Sequence, residues 1–166
     1  MSVSSPTPLV IAGNTISGNK QGLYILYSPD PESASDKIEV TLNNNSITAN
    51  QQQLSGGGIC FHNCEVTMDG DRINNNTADD YGGGLCAYAS TITMRNCTFE
   101  GNKAKYGGAL ALRNGSSAEI KNTLFSSNTA SDSGPVAHYS SNSSLELDAT
   151  VTYGGGNSSS DIYQGY

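Results

Sequence analysis

The chain has 166 residues, the length of one domain, with 14% charged residues, 19 glycines and a net charge of −7. That balance repels phosphate backbones, and with no Lys/Arg cluster to offset it nucleic acid is excluded as a partner. No apolar run approaches the roughly 20 residues of a membrane span, and a composition rich in Gly, Ser, Asn and Thr suits turns and stacked strands rather than amphipathic helices.

Residues 1–8, with Pro6 and Pro8, read as an N-terminal segment that blunts a strand edge; they show neither the basic start nor the apolar middle of a signal peptide. An apolar residue followed three positions later by Asn then appears at Ile16/Asn19 and returns at Ile47/Asn50, Ile73/Asn76, Phe99/Asn102 and Phe125/Asn128. From Asn50 onward those asparagines are 26 residues apart. The first step is longer, and residues 28–37 read as a loop inserted between coils one and two. Next come Val40-Thr41-Leu42, Val66-Thr67-Met68, Ile92-Thr93-Met94 and Ala118-Glu119-Ile120, each a short strand with its outer residues turned inward. Glycine-rich corners, Gly56-Gly57-Gly58-Ile59, Gly82-Gly83-Gly84-Leu85 and Gly107-Gly108-Ala109-Leu110, keep nearly the same step.

Three short strands and three turns in such a unit bury a core only by stacking on copies of themselves, about 4.8 Å apart. The pattern predicts an all-β, right-handed parallel β-helix solenoid of about six coils of roughly 26 residues. It spans residues 1–166 as one domain, with residues 154–166 as an irregular last coil or cap. Right-handedness follows from the preferred sense of parallel crossovers. Ile47, Ile59, Ile73, Leu85, Phe99, Leu110 and Phe125 are expected inside. The asparagines at 19, 50, 76, 102 and 128 are expected to stack into a hydrogen-bonded ladder at one corner. Asn44, Asn96 and Asn122 form a weaker second column, broken by Gly70.

Phe99-Glu100-Gly101-Asn102 and Phe125-Ser126-Ser127-Asn128, together with Gly107-Gly108-Ala109-Leu110, resemble the repeats of chlamydial polymorphic membrane proteins. The resemblance covers residues 38–139 well and the ends loosely; earlier coils carry Ile for Phe and Gly for Ala. It implies a surface-exposed or secreted β-helical passenger of the outer membrane, often an adhesin, with a protein or glycan on a cell surface as partner. The family's membrane barrel is absent from this chain.

No enzyme active site is legible, and no cofactor, metal or catalytic residue is expected. Asp69 and Asp71, the pair Asp79/Asp80, and Asp30, Glu32 and Asp36 lie on different corners and do not recur in one column, as the converging carboxylates of a pectin-cleaving site would. Arg72 is the one suggestive basic neighbour of Asp71. His62 and His138 lie in different coils; Cys60, His62 and Cys64 are close in sequence but read as packing rather than a metal site. Thr41, Thr67 and Thr93 form a single outward rank, ended by Glu119, too narrow for an ice-binding face. Tyr81 and Tyr106 precede the glycine corner in successive coils. Their plainer reading is corner filler, and their functional reading is a platform for a sugar ring. Cys60 and Cys86 should be adjacent in one column, as two packed thiols or a disulfide, with Ala111 next. Cys64 and Cys97 have no cysteine beside them. The expected function is surface recognition by an adhesin-like rod. Glycan binding or cleavage and a structural spacer are the alternatives.

Overall fold

The computed structural model describes residues 6–29 and 36–165, an all-β parallel solenoid with no α-helix among them. The turns of the chain contribute to four sheets in order, the first turn and the last part-turn skipping the third. The first sheet stacks Leu9–Ala12, Ile38–Asn43, Cys64–Asp69, Thr91–Arg95, Ser117–Lys121 and Ser144–Leu147. The second stacks Thr15–Ser17, Ser46–Thr48, Arg72–Asn74, Thr98–Glu100, Leu124–Ser126 and Thr152–Gly154. A narrow third sheet holds Gln51–Gln52, Thr77–Ala78, Lys103–Tyr106 and Thr129–Ser133. The fourth holds Leu23–Leu26, Ile59–His62, Leu85–Tyr88, Leu110–Arg113, Ala137–Tyr139 and Ile162–Gln164.

The register is the one the sequence step predicts: Val40, Val66, Ile92 and Ala118 are successive partners, as are Ile47, Ile73, Phe99 and Phe125. All seven residues expected inside are fully buried. Phe99 and Phe125 stack with ring centroids 5.4 Å apart, so truncating Phe99 to Ala would open a cavity costing about 3–5 kcal/mol.

Two expectations change. Six strands in the first sheet are separated by five complete turns, so the solenoid has five full coils rather than six. The sixth pass is partial: it reaches the first, second and fourth sheets, but the third ends at Thr129–Ser133. A coil also has four strands, not three. The extra one is as short as Gln51–Gln52 and Thr77–Ala78, too brief to show alternation.

Pro135 shows how the missing strand matters. It occupies the position held by Gly83 and Gly108 in earlier coils, since Gly83 bonds Gly107 and Gly108 bonds Gly134 through equivalent amides. A Cβ on Gly83 would lie 2.3 Å from the carbonyl oxygen of Lys103, in the next coil's third-sheet strand. Past coil five no such strand follows, and a bulky residue fits.

The ladder is continuous from Asn19 through Asn50, Asn76, Asn102 and Asn128, and it gains Asn157, which closes it despite a step of 29 residues. The tail therefore builds part of a coil: Ile162–Gln164 pairs with Ala137–Tyr139, and the Asp161 carboxylate accepts from the Ser158 amide at 2.8 Å. The column of Asn44, Asn96 and Asn122 is not broken at Gly70. All four adopt left-handed backbone, with φ of 52°, 56°, 44° and 70°, and that geometry, open to Asn and Gly, is what recurs. Most of the 28–37 insertion lies outside the described residues, as do Met1 to Ser5 of the N-terminal segment.

Candidate functional site

In the fourth sheet, Leu23, Ile59, Leu85 and Leu110 point into the core, and so do Ile25, Phe61, Ala87 and Leu112. Strand alternation sends the residues between them outward. One outward column runs Tyr24, Cys60, Cys86, Ala111, His138, Tyr163; the other runs Leu26, His62, Tyr88, Arg113. An outward face is ordinarily polar, but this one is largely aromatic.

The rings form two connected groups. His62 stacks on Tyr88 with centroids 4.5 Å apart and 14° between planes, and Tyr24 tilts against His62 at 5.4 Å. Tyr81 stacks on Tyr106 at 5.0 Å and 22°. His138 packs 5.3 Å from Tyr106 and 5.4 Å from Tyr163. Small side chains in the middle of the first column make room for this. Cys60, Cys86 and Ala111 are buried although they sit outside the barrel, because Tyr81 and Tyr88 roof them.

Between the two ring groups, over the first three coils, lies a groove of about 520 Å³. Its walls are Tyr24, His62, Tyr81 and Tyr88, with Leu54 at the edge; Gln21, Gln52, Ser55 and Asp80 supply its polar groups. The Tyr88 hydroxyl donates to Ser55 Oγ at 3.2 Å, which fixes that ring. Burial lowers the His62 pKa, favouring the neutral imidazole, and burial followed by the nearby Arg113 does the same to His138. The Arg113 guanidinium lies 3.9 Å from the centroid of Tyr81, stacked on the ring. Asp80 is the one acidic residue of the lining.

The family described as right handed beta helix region matches residues 2–158. The chain belongs to that family. No curated protein and no solved structure matches it.

Within this β-helix, Tyr81 and Tyr106 are brought together as the sequence predicts, and their backbones form a parallel bridge. Only Tyr81 reaches the groove; Tyr106 stands behind it, against His138. The remaining rings were missed. Tyr24 and His62 lie in strands rather than at a corner, and the signal that finds the ledge is the 26-residue step from His62 to Tyr88.

Cys60 and Cys86 are register partners, as expected, and both are free thiols, with burial pushing Cys60 up to about 12 and Cys86 higher still. Cys64 has Ser90 beside it, whose Oγ accepts from the Cys64 amide at 3.1 Å. The acidic residues disperse. Asp69 faces solvent and pairs with Arg95 of the next coil at 3.0 Å, while Asp71 is buried in a corner and bonded by Asn45, not by its neighbour Arg72. Asp30 and Glu32 lie outside the described residues. Thr41, Thr67 and Thr93 stand in register on the first sheet's outer face, followed by Glu119 and Glu146.

Proposed function

We propose that this β-helix is a surface recognition module, an adhesin-like rod whose contact face is the outer side of the fourth sheet. One observation carries the reading. Leu9 and Val10 on the first sheet and Tyr163 at the far end of the face stand apart, whereas Tyr24, Leu26 and Leu54, 48%, 57% and 67% exposed, lie together over the first two coils of that face. Contiguous exposed apolar surface of this kind marks interaction sites. Recognition rather than catalysis fits a face whose two histidines are pushed toward the neutral form and whose Arg113 is stacked on Tyr81. The resemblance of the Phe99 and Phe125 repeats to chlamydial polymorphic membrane protein passengers supports display on a cell surface or secretion, with a protein or glycan of another cell as partner.

The test compares binding of fluorescently labelled protein to intact host cells. A Tyr24→Ser/Leu26→Ser double variant should lose most of it, while a Thr67→Lys/Thr93→Lys variant of the first sheet should bind as before. Equal binding by all three proteins, or loss only in the first-sheet variant, would move the contact face elsewhere.

A further inference from the structure

Resting on that reading of the fourth sheet, we infer that the groove over coils one to three is a binding site for a neutral saccharide chain. The backbone of the floor is the first constraint. The amides and carbonyls of Ile59–His62 and Leu85–Tyr88 are consumed by parallel pairing with the coils above and below, while Leu23–Leu26, the end strand of the sheet, pairs on one side only; across the outer face a ligand meets side chains. An extended peptide brings a backbone donor and acceptor at every residue, and the outer face of this floor offers them none; the sheet's free edge, at Leu23–Leu26, points along the rod axis and not into the groove. A saccharide has no such backbone. It has apolar C–H faces, which rest on rings, and a periphery of hydroxyl groups, each both donor and acceptor.

The walls match those two chemistries. Tyr24, half exposed and tilted 45° to His62, is the ring open to a sugar face, while His62 and Tyr88, stacked on each other at 4.5 Å, carry their ring edges along the wall one coil at a time, about 4.8 Å per step. Across from them, Gln52 and Gln21 offer amides that both donate and accept, and Asp80 offers a carboxylate that accepts from paired hydroxyls. A volume of about 520 Å³ lies within the range of small-ligand sites and holds a short oligosaccharide rather than a single water-filled cleft.

Charge decides between neutral and anionic saccharides. The protein carries −7, Asp80 lines the groove, His62 is held toward its neutral form, and the nearest guanidinium, Arg113, is stacked on Tyr81. Uronates and sulfated chains meet Asp80 there, and the described lining holds no Lys or Arg to offset it. The site also stands apart from the second corner, where the asparagine ladder leaves no side chain free.

The experiment titrates the intact chain with neutral oligosaccharides of glucose, mannose, galactose and N-acetylglucosamine, two to six units long, and with oligogalacturonate, following tyrosine fluorescence and heat. A neutral series should bind, more tightly from two units to four, and oligogalacturonate should bind at least tenfold more weakly. Tyr24→Ala and Gln52→Ala should each weaken binding about tenfold or more with the circular dichroism spectrum unchanged. Tyr163→Ala, on the same face but beyond the groove, should leave it intact. Absence of any neutral binder, equal binding of the uronate, or wild-type affinity in both groove variants overturns the inference. If no saccharide binds and the Tyr24→Ser/Leu26→Ser protein still loses its cells, the face recognises protein: the inference falls and the recognition reading stands. Saccharide binding without any cell binding reverses that outcome.

Discussion

Between the second and third sheets the corner position is Asn from coil one to the last part-coil, Asn19 to Asn157, whereas between the first and second sheets the equivalent position runs Asn14, Asn45, Asp71, Cys97, Thr123. In the first of these corners every internal amide is saturated. Asn102 Oδ1 accepts from the Asn76 amide at 3.0 Å and from Asn76 Nδ2 at 3.1 Å, while its own Nδ2 donates to the Ile73 carbonyl at 2.7 Å and to Asn128 Oδ1 at 3.0 Å. An amide is both donor and acceptor, so the motif copies itself without limit. In the other corner the chain of amides stops at Asp71. Its Oδ1 accepts twice from Asn45, at 2.8 Å each, but its Oδ2 is buried with no partner among the described residues. Beyond it the Cys97 amide reaches Thr123 Oγ1 at 3.4 Å, a long bond. A corner can thus change chemistry from coil to coil: Asn45, Asp71 and Thr123 each give an oxygen to the amide of the coil before, while Cys97 presents a thiol that donates to the Arg95 carbonyl.

The largest effect is expected where the ladder is complete. Asn102→Ala leaves the Asn76 amide and one of the two Asn76 Nδ2 hydrogens without an acceptor in a buried site, the other staying on the Ile47 carbonyl, and should cost about 2–4 kcal/mol in urea unfolding. A loss below about 0.5 kcal/mol would mean that neighbours or water take over those bonds, and the contrast between the corners would collapse.

Asp71→Asn tests the interruption and should move stability the other way. Burial raises the Asp71 pKa above the ordinary carboxylate range, with neighbouring Asp69 adding to it, although the two bonds from Asn45 oppose the shift. The folded protein then holds that proton to higher pH than the unfolded chain. Wild-type stability is highest below the unfolded value of about 3.9, declines as pH rises through the folded value, and is level above it. An amide cannot titrate and restores the missing donors. Asp71→Asn should raise stability at pH 7 by about 1–2 kcal/mol, the gain shrinking as pH falls toward 4. Melting curves of both proteins across that range read the difference directly; a gain independent of pH would show that the orphan oxygen, not its charge, is what costs stability.

The smallest effect belongs to the far side of the interruption. Thr123→Val keeps the shape of the side chain but removes the acceptor of the Cys97 amide and the donor to the Lys121 carbonyl, and should cost about 1 kcal/mol, because the first bond is long and the second is local and part-buried. A cost equal to that of Asn102→Ala would erase the distinction between the two corners.

The complete ladder was legible in the sequence because one residue type repeats at one step, and with it the register and the core. The mixed corner was legible only as a column of stacked positions, Asp71, Cys97 and Thr123, not as a hydrogen-bonded corner. Those three share a backbone role but no side-chain identity, so of the corner itself only the adjacent left-handed positions, Asn44, Gly70, Asn96 and Asn122, leave a trace. The candidate site was half legible. Tyr81 and Tyr106 stand beside glycine corners that align them by eye, whereas Tyr24, Leu26, His62 and Tyr88 sit in strands whose neighbours alternate between core and exterior. Their outward sense follows only once the inward set is fixed, and an apolar ring on an exterior position reads locally as core. The third sheet escaped for a simpler reason: two-residue strands carry no periodicity.

Every hydrogen bond that joins one coil to the next runs along the axis of the rod. Pulled by its two ends, such a rod is loaded like a zipper rather than like a lap joint, with a single rung of backbone and ladder bonds bearing the force at any moment. Rupture should therefore advance coil by coil from an end, releasing about 26 residues of slack at each step and reaching low peak forces. A tether of that kind stretches before it lets go, and its reserve of length is fixed by how many coils it carries.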